Sequence, residues 1–369
     1  MATSLIHPTW IEVDLSQFRK NIACIKKYIG ECLYCLPIKA NAYGHGLSPI
    51  GEAAATAGVD YLAVAHLEEG KELRKSGIHI PILVLGALHE NQIAELIEYD
   101  LEFTISSKYK ADLVANVCRL IGKRCRVHLE VDTGMQRTGV RPRTAIELFH
   151  HLQHLQCFDI IGVYSHLATA NSHDDFFAKE QIEQFYNVVK QLPSSSLIRH
   201  ISNSNGTMFF SHSHLDMVRP ALATFGYISP TAPKELQDIA PSFTLKSKVA
   251  YFKVVEAGQG ISYGHTYTTK MKTRIVTIPI GYGDGYRRCL SNKASVLIRG
   301  KRFPVVGTIC MDQLMVDVGN NEVRVGDEVV LIGKQGDLEI SLDEVSKLAE
   351  TIPYEILCSF NNRIPRIYV

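Results

Sequence analysis

A single lysine follows the apolar run Leu33-Tyr34-Cys35-Leu36-Pro37-Ile38, and after Lys39 the chain turns through Ala40-Asn41-Ala42-Tyr43-Gly44-His45-Gly46. A Leu- and Ile-rich run closed by a glycine-bearing turn reads as a buried strand feeding a loop and then a helix. Lys39 is then the last inward residue of that strand. Burying an ammonium group is costly, and desolvation lowers its pKa. An amine lowered in this way forms a Schiff base with the carbonyl of a substrate or of pyridoxal phosphate (PLP). Taken alone, the residue reads more simply as a lysine reaching solvent from a strand end.

Other chemistry-bearing side chains recur where apolar runs end: Arg137 after Val131-Asp132-Thr133, His166 after Ile161-Gly162-Val163, Ser204 in Ser202-Asn203-Ser204-Asn205-Gly206, and Arg219 in Val218-Arg219-Pro220. Each has an ordinary reading on its own. A serine before an apolar helix is an N-cap, a lone histidine is usually a satisfied structural residue, and an arginine forms surface ion pairs. Their recurrence at run ends is what points to one shared site. Cys32 and Cys35 form a C-x-x-C within the first run; with no second pair and no histidine at finger spacing, they read as strand residues, and no metal site is expected.

The elements that position these residues alternate. Apolar runs at 33–39, 61–65, 81–86, 101–106, 126–131, 160–166, 199–202 and 217–219 are separated mostly by amphipathic helical stretches such as 48–57 and 67–75. About eight strand–helix repeats match the roughly 250 residues of a (β/α)8 barrel, with a doubly wound open sheet as the competing α/β architecture. The barrel is favoured because its strand C-terminal ends converge on one mouth. Near Pro241 the texture changes to short β-branched runs broken by Gly, Asn and Asp: 243–257, 273–279, 294–298, 303–309, 314–318 and 328–332, with one late helix at 341–351. The expected organisation is an N-terminal (β/α)8 TIM-like barrel over residues 1–240, its first ten or so residues joining the second domain, and a mostly β domain over 241–369. Trp10–Asp14 reads as a stray strand.

Thirty-nine basic and 38 acidic residues leave a net charge of +1 without long single-sign runs, so nothing marks a nucleic-acid or membrane-surface partner. A small molecule is expected instead. Nine scattered cysteines and the lack of a signal-like N-terminus or membrane-length apolar stretch fit a cytoplasmic enzyme.

The run Lys39-Ala40-Asn41-Ala42-Tyr43-Gly44-His45-Gly46 resembles the PLP-attachment signature of the bacterial alanine racemases, and further matches continue in order to Tyr354. The resemblance implies PLP on Lys39 and a two-base interconversion of L- and D-alanine, with D-alanine supplied to peptidoglycan. Lys39 acts on the Cα proton of the D-enantiomer and Tyr263, in Gly260-Ile261-Ser262-Tyr263-Gly264, on that of the L-enantiomer, because inversion needs a base on each face. A tyrosine near its ordinary pKa of about 10 needs a neighbouring positive charge or donor, and His166 and Arg219 are the candidates. The resemblance also assigns Tyr43, Ser204, Leu222 and Tyr354 to the cofactor phosphate, Arg219 to its ring nitrogen and His166 to its ring. Arg137, Met311 and Asp312 fall at the substrate, with Tyr282 as an entrance gate. It further implies a homodimer with shared sites.

Three positions depart from the family's pattern. Glu130 stands where many relatives carry a lysine that becomes carbamylated, and a carboxylate there is expected to take a forked bond from Arg137. Ala221 replaces a glycine, and Asn171-Ser172 an acidic pair. The competing readings are a serine or broad-specificity racemase, a non-catalytic PLP carrier and a fold-related decarboxylase. A PLP carrier resembles the barrel alone, and the Cys and Asp pairing typical of such decarboxylases is not found. The serine reading is separated from the alanine reading only by a small difference in pocket fit.

Overall fold

The computed structural model describes residues 7–170, 175–193 and 197–369. They fall into two compact units, one of residues 17–42 and 47–240, the other of residues 7–16, 43–46 and 241–369. After β1 (Trp10–Val13), which belongs to the second unit, the first unit contributes β2 (Leu33–Pro37), β3 (Tyr61–Val64), β4 (Ile82–Val84), β5 (Glu102–Ile105), β6 (Cys125–Glu130), β7 (Phe158–Tyr164), β8 (Ile198–His200) and β9 (Met217–Val218).

These eight strands are hydrogen-bonded in the order β8-β7-β6-β5-β4-β3-β2-β9, all pairs parallel. A bridge between Asn203 and Arg219, just past β8 and β9, brings the two ends of the sheet together, so the strands form a nearly closed barrel and not an open sheet. β3, β4 and β5 are buried along their whole length, which is why they read as continuous apolar runs without alternation. The helices between them are amphipathic. Lys108–Ile121 buries Ala111, Val114, Ala115 and Cys118, a spacing that keeps one face on the strands. Ser107 caps its start by accepting from the Lys110 N–H, and Gly122, at φ +67°, ends it.

In the second unit Trp10–Val13 is a central strand and not a stray one. It pairs antiparallel with β10 (Phe243–Lys248) and parallel with β20 (Arg366–Tyr368). Between them come β11 (Tyr251–Val255), β12 (Gly260–Ile261), β13 (Tyr267–Thr268), β14 (Thr273–Ile278), β15 (Ser295–Ile298), β16 (Lys301–Pro304), β17 (Leu314–Gly319), β18 (Glu328–Gln335) and β19 (Leu338–Ile340). The main sheet runs β16-β15-β18-β10-β1-β20, with β19 on β18; β11-β14-β17 form a second sheet and β12-β13 a hairpin.

The run expected as a strand over 303–309 leaves its sheet after Pro304. Gly307 turns the chain at φ +74°, where a Cβ would lie 2.6 Å from the Ile261 carbonyl oxygen. The freed loop carries Met311. The run at 243–257 divides between two sheets as β10 and β11. Helix Leu342–Leu348 is capped by Ser341, and Pro353–Ser359 forms a further helix. No helix among the described residues is long and apolar enough to cross a membrane.

Candidate active site

Lys39 lies two residues beyond β2 and is half-buried, so it is not the last inward residue of the strand. The backbone after it winds left-handed through Ala40 (φ 54°, ψ 55°), Asn41 (55°, 46°) and Ala42 (51°, 50°), and Tyr43 continues at φ 51°. Such residues cost about 1–2 kcal/mol each, so the surroundings must impose the turn. They do so through hydrogen bonds. Glu69 Oε1 accepts from the Ala40 N–H at 2.6 Å while its Oε2 accepts from the Ala65 N–H at 2.8 Å. Asn41 Oδ1 accepts from the Leu47 N–H, and the Ala42 N–H donates to the Ile38 carbonyl, both at 2.8 Å. Nothing in the sequence ties Glu69 to the Lys39 turn, although a glutamate at the third position of helix Leu67–Lys75 is a capping-box signal.

Arg219 is 2 % exposed. Its Nη1 donates to His200 Nδ1 at 2.6 Å, and its Nη2 to the Ser165 carbonyl at 2.7 Å and the Ile201 carbonyl at 3.2 Å, with His166 Nδ1 at 3.4 Å. The guanidinium carbon lies 5.4 Å from the Tyr164 ring centroid, and that ring stacks on His200. His166 is pulled down to a pKa of about 3, first by burial and then by the positive charges of Arg219, Arg137 and Lys39. It is therefore a neutral imidazole at physiological pH. Arg219 is the one of these cations in contact with His166, whereas Arg137 and Lys39 act on it through charge.

Glu130 ends β6 and is 4 % exposed. Burial raises its pKa, opposed by the Thr138 hydroxyl and by the charges of Arg137 and Arg219. Thr138 Oγ1 donates to Oε1 at 2.9 Å, whereas Oε2 meets no hydrogen-bond partner among the described residues. The forked Arg137–Glu130 bond is not formed: Arg137 is exposed, and its effect on Glu130 is a longer-range charge interaction. The carboxylate at the strand end is thus buried while the arginine, on a glycine-bearing loop, reaches outward.

Ser204 is the first residue of helix Ser204–Phe209 and is buried, its hydroxyl facing the Ala223 N–H at 3.4 Å. Asn203, not Ser204, is the N-cap, accepting from the Gly206 N–H at 2.9 Å. The Leu222 N–H meets no acceptor among the described residues. The departure at Asn171-Ser172 lies outside the described residues.

In the second unit, Gly44 turns at φ +79° where a Cβ would lie 2.2 Å from the Leu357 carbonyl oxygen, a close approach only glycine permits. This places Tyr43 beside Tyr354 near the start of helix Pro353–Ser359, ring centroids 5.9 Å apart. Tyr263 is 72 % exposed, but its backbone is fixed: Thr308 Oγ1 donates to its carbonyl at 2.8 Å, and Ser262 Oγ to the Thr308 carbonyl at 2.6 Å. Met311 is 53 % exposed, and its N–H meets no acceptor among the described residues. The Tyr282 and Gly283 N–H groups donate to the Cys310 and Met311 carbonyls at 3.0 and 2.8 Å, tying the two loops together. Arg363 completes the tie through Asp312 at 2.6 Å and Asp284 at 3.3 Å. Nothing in the sequence around Arg363 marks this role.

A barrel with a lysine and a buried arginine at its mouth, continued by a β unit with exposed tyrosine-bearing loops, is the architecture of a two-part barrel enzyme. Residues 13–229 match the model for the alanine racemase N-terminal domain and residues 242–368 that for the C-terminal domain. The chain is 43 % identical over 369 residues to the alanine racemase of Symbiobacterium thermophilum, covering 98 % of this chain and 97 % of that protein. It is 40 % identical to that of Halothermothrix orenii, covering 100 % and 98 %. Among solved structures, alanine racemase from Clostridium difficile 630 superposes with a TM-score of 0.94 at 36 % identity, covering 99 % and 97 %. The chain belongs to the alanine racemase family.

Proposed function

We propose that the protein interconverts L- and D-alanine, with PLP held at Lys39. The observation that supports this reading is Arg219 buried just past β9, with its Nη2 3.4 Å from His166 Nδ1, in a barrel that also carries Lys39 two residues past β2 and Arg137 on the loop after β6. A mouth so rich in positive charge fits a phosphate-bearing cofactor and an amino-acid carboxylate. Ser204, the Leu222 N–H, Tyr43 and Tyr354 are the donors assigned to the phosphate. When bound, the cofactor supplies an electron-withdrawing ring that acidifies the alanine Cα–H.

Arg219 presents N–H groups only, so it leaves a ring nitrogen facing it unprotonated and tempers that electron withdrawal. Tempered withdrawal favours return of the proton to Cα over side reactions. From D-alanine Lys39 Nζ would take the Cα proton and Tyr263 Oη would deliver one to the opposite face, giving L-alanine; from L-alanine the two groups exchange roles. Arg137 and the Met311 N–H hold the substrate carboxylate. Glu130 acts on Arg137 through its charge without direct contact.

Tyr263 and Met311 both stand in solvent in the single chain. This supports a homodimer in which each copy offers these loops to the other's barrel. D-Alanine for peptidoglycan, made in the cytoplasm, is the corresponding product. The test is circular dichroism of L- and D-alanine incubated with the PLP-loaded protein, with L-serine alongside. Loss of optical activity from both alanine enantiomers, faster than from serine, is expected. Conversion of alanine to a keto acid without racemisation, or no reaction at all, would overturn the reading.

A further inference from the structure

β5 opens on Glu102, an acid only 1 % exposed inside the barrel that no step above uses. Its Oε2 lies 2.9 Å from His128 Nε2; His128 Nδ1 lies 3.0 Å from His200 Nε2; and His200 Nδ1 receives Arg219 Nη1 at 2.6 Å. Both imidazoles are fully buried. The series climbs from the start of β5, through β6 and the end of β8, to the residue after β9.

Its two ends dictate where every proton sits. A guanidinium only donates, so His200 Nδ1 must accept. The one proton of a neutral His200 is then on Nε2, aimed at His128 Nδ1, which must also accept. His128 therefore carries its proton on Nε2 and gives it to Glu102. An extra proton on either ring would set two donors against each other. Burial, Arg219 and His128 all hold His200 well below the ordinary histidine pKa, in keeping with a neutral ring.

The other Glu102 oxygen faces Arg126 Nε at 3.4 Å, and Arg126 Nη2 reaches Asp100 at 3.1 Å, so the buried carboxylate sits between a cation and a donor. The rings are held in their planes as well. Tyr164 stacks on His200 with centroids 4.9 Å apart at 15°, its hydroxyl bonded to Thr104 at 2.8 Å, and Tyr61 meets His128 edge-on at 6.4 Å.

We propose that Glu102 is a positioning residue for Arg219, acting through the ordered pair His128 and His200. By fixing which guanidinium nitrogen serves the barrel, it leaves the Arg219 Nε–H and the second Nη1–H for the ring nitrogen of the cofactor. This function rests on the assignment of Arg219 to that nitrogen, whereas the proton order does not.

The experiment is 15N NMR of cofactor-free protein labelled at histidine, near pH 7, comparing wild type with Glu102→Gln and assigning resonances with His128→Asn. The expected wild-type pattern is Nε2–H with a bare Nδ1 at both His128 and His200. Glu102→Gln, which keeps an acceptor but removes the charge, is expected to shift the His200 Nδ1 resonance. With PLP restored it should lower kcat about 10-fold with an unchanged KM for alanine, as loss of an outer supporting group does elsewhere. A proton on His200 Nδ1, a doubly protonated ring, an unshifted His200 signal or an unchanged kcat would each overturn the proposal. If Glu102→Gln does not fold, the wild-type pattern still decides the proton order. An inactive wild-type protein with the expected pattern would sink the racemase reading alone.

Discussion

In the barrel unit Arg219 is buried and hydrogen-bonded to several acceptors, with Lys39 half-buried and Arg137 exposed, whereas in the β unit Tyr263 and Met311 project into solvent from loops whose backbones are tied down. Arg219 has four acceptors within 3.4 Å and is 2 % exposed, while Tyr263 is 72 % exposed beside a backbone pinned by Thr308. A buried, multiply bonded cation has lost its conformational freedom on folding and is in place before any ligand arrives. An exposed phenol on a rigid loop is placed but not yet enclosed. Arg219 is therefore in place within one chain, and under the proposed function Tyr263 and Met311 are enclosed only when a second copy covers them.

The contrast can be sharpened by substitution. Lys39→Ala is expected to give the largest effect, a loss of racemisation approaching about 10⁴-fold in both directions, since it removes a base as well as the cofactor's anchor. Polarimetry with excess PLP measures it. Retention of a tenth of the activity would move the chemistry elsewhere in the barrel.

Glu69→Gln tests whether the left-handed turn is imposed by its surroundings. Losing a carboxylate that accepts from two strand-end N–H groups is expected to cost about 1–3 kcal/mol in urea unfolding of the cofactor-free protein. Tyr263→Phe, by contrast, is expected to change stability by less than about 0.5 kcal/mol, because the phenol is exposed. Equal costs for the two would erase the contrast between the units.

Glu130→Gln is expected to raise the KM for alanine several-fold with little change in kcat, because Glu130 acts on Arg137 by charge alone. An unchanged KM would remove Glu130 from the site.

The smallest expected effect is on pH dependence. In the folded chain His166 stays unprotonated down to about pH 3, while an unfolded histidine takes a proton near 6.5. Between those values the unfolded state binds more protons, so the stability contributed by His166 is present above about pH 6.5 and is lost as pH falls toward 3. Melting temperatures of cofactor-free His166→Asn should fall less than those of wild type between pH 7 and 4.5. Parallel curves would contradict a desolvated, cation-surrounded His166.

Much of this architecture is legible in the sequence because parallel barrel strands are apolar on both faces. All eight observed barrel strands lie within or beside the runs read at 33–39 through 217–219, give or take a residue or two. The β unit is less legible because its runs do not show where one sheet ends and another begins, as the division of 243–257 and the departure at Gly307 illustrate. Residues with a chemical signature, such as Lys39 and Arg219, stand out at strand ends. Those that support them do not: Glu69 looks like any acid in a first helical turn, Glu102 like a surface charge, and Arg363 like one of many arginines. The Lys39 turn is hidden for a similar reason. Ala40, Asn41 and Ala42 favour ordinary helix or turn, and the hydrogen bonds made by Glu69, Asn41 and the Ile38 carbonyl help to hold them left-handed.

The two-base assignment is tested most directly by proton exchange at Cα, followed by 1H NMR in D2O for wild type and Tyr263→Phe, each loaded with PLP and given L- or D-alanine. Racemisation rates alone cannot separate the faces, because an equilibrium constant of one forces kcat/KM to fall equally in both directions. Exchange can. The wild-type protein is expected to lose the Cα proton of both enantiomers, and Tyr263→Phe to keep exchanging that of D-alanine through Lys39 while leaving L-alanine unexchanged. Undiminished exchange of L-alanine by Tyr263→Phe would contradict the assignment of one base to each unit.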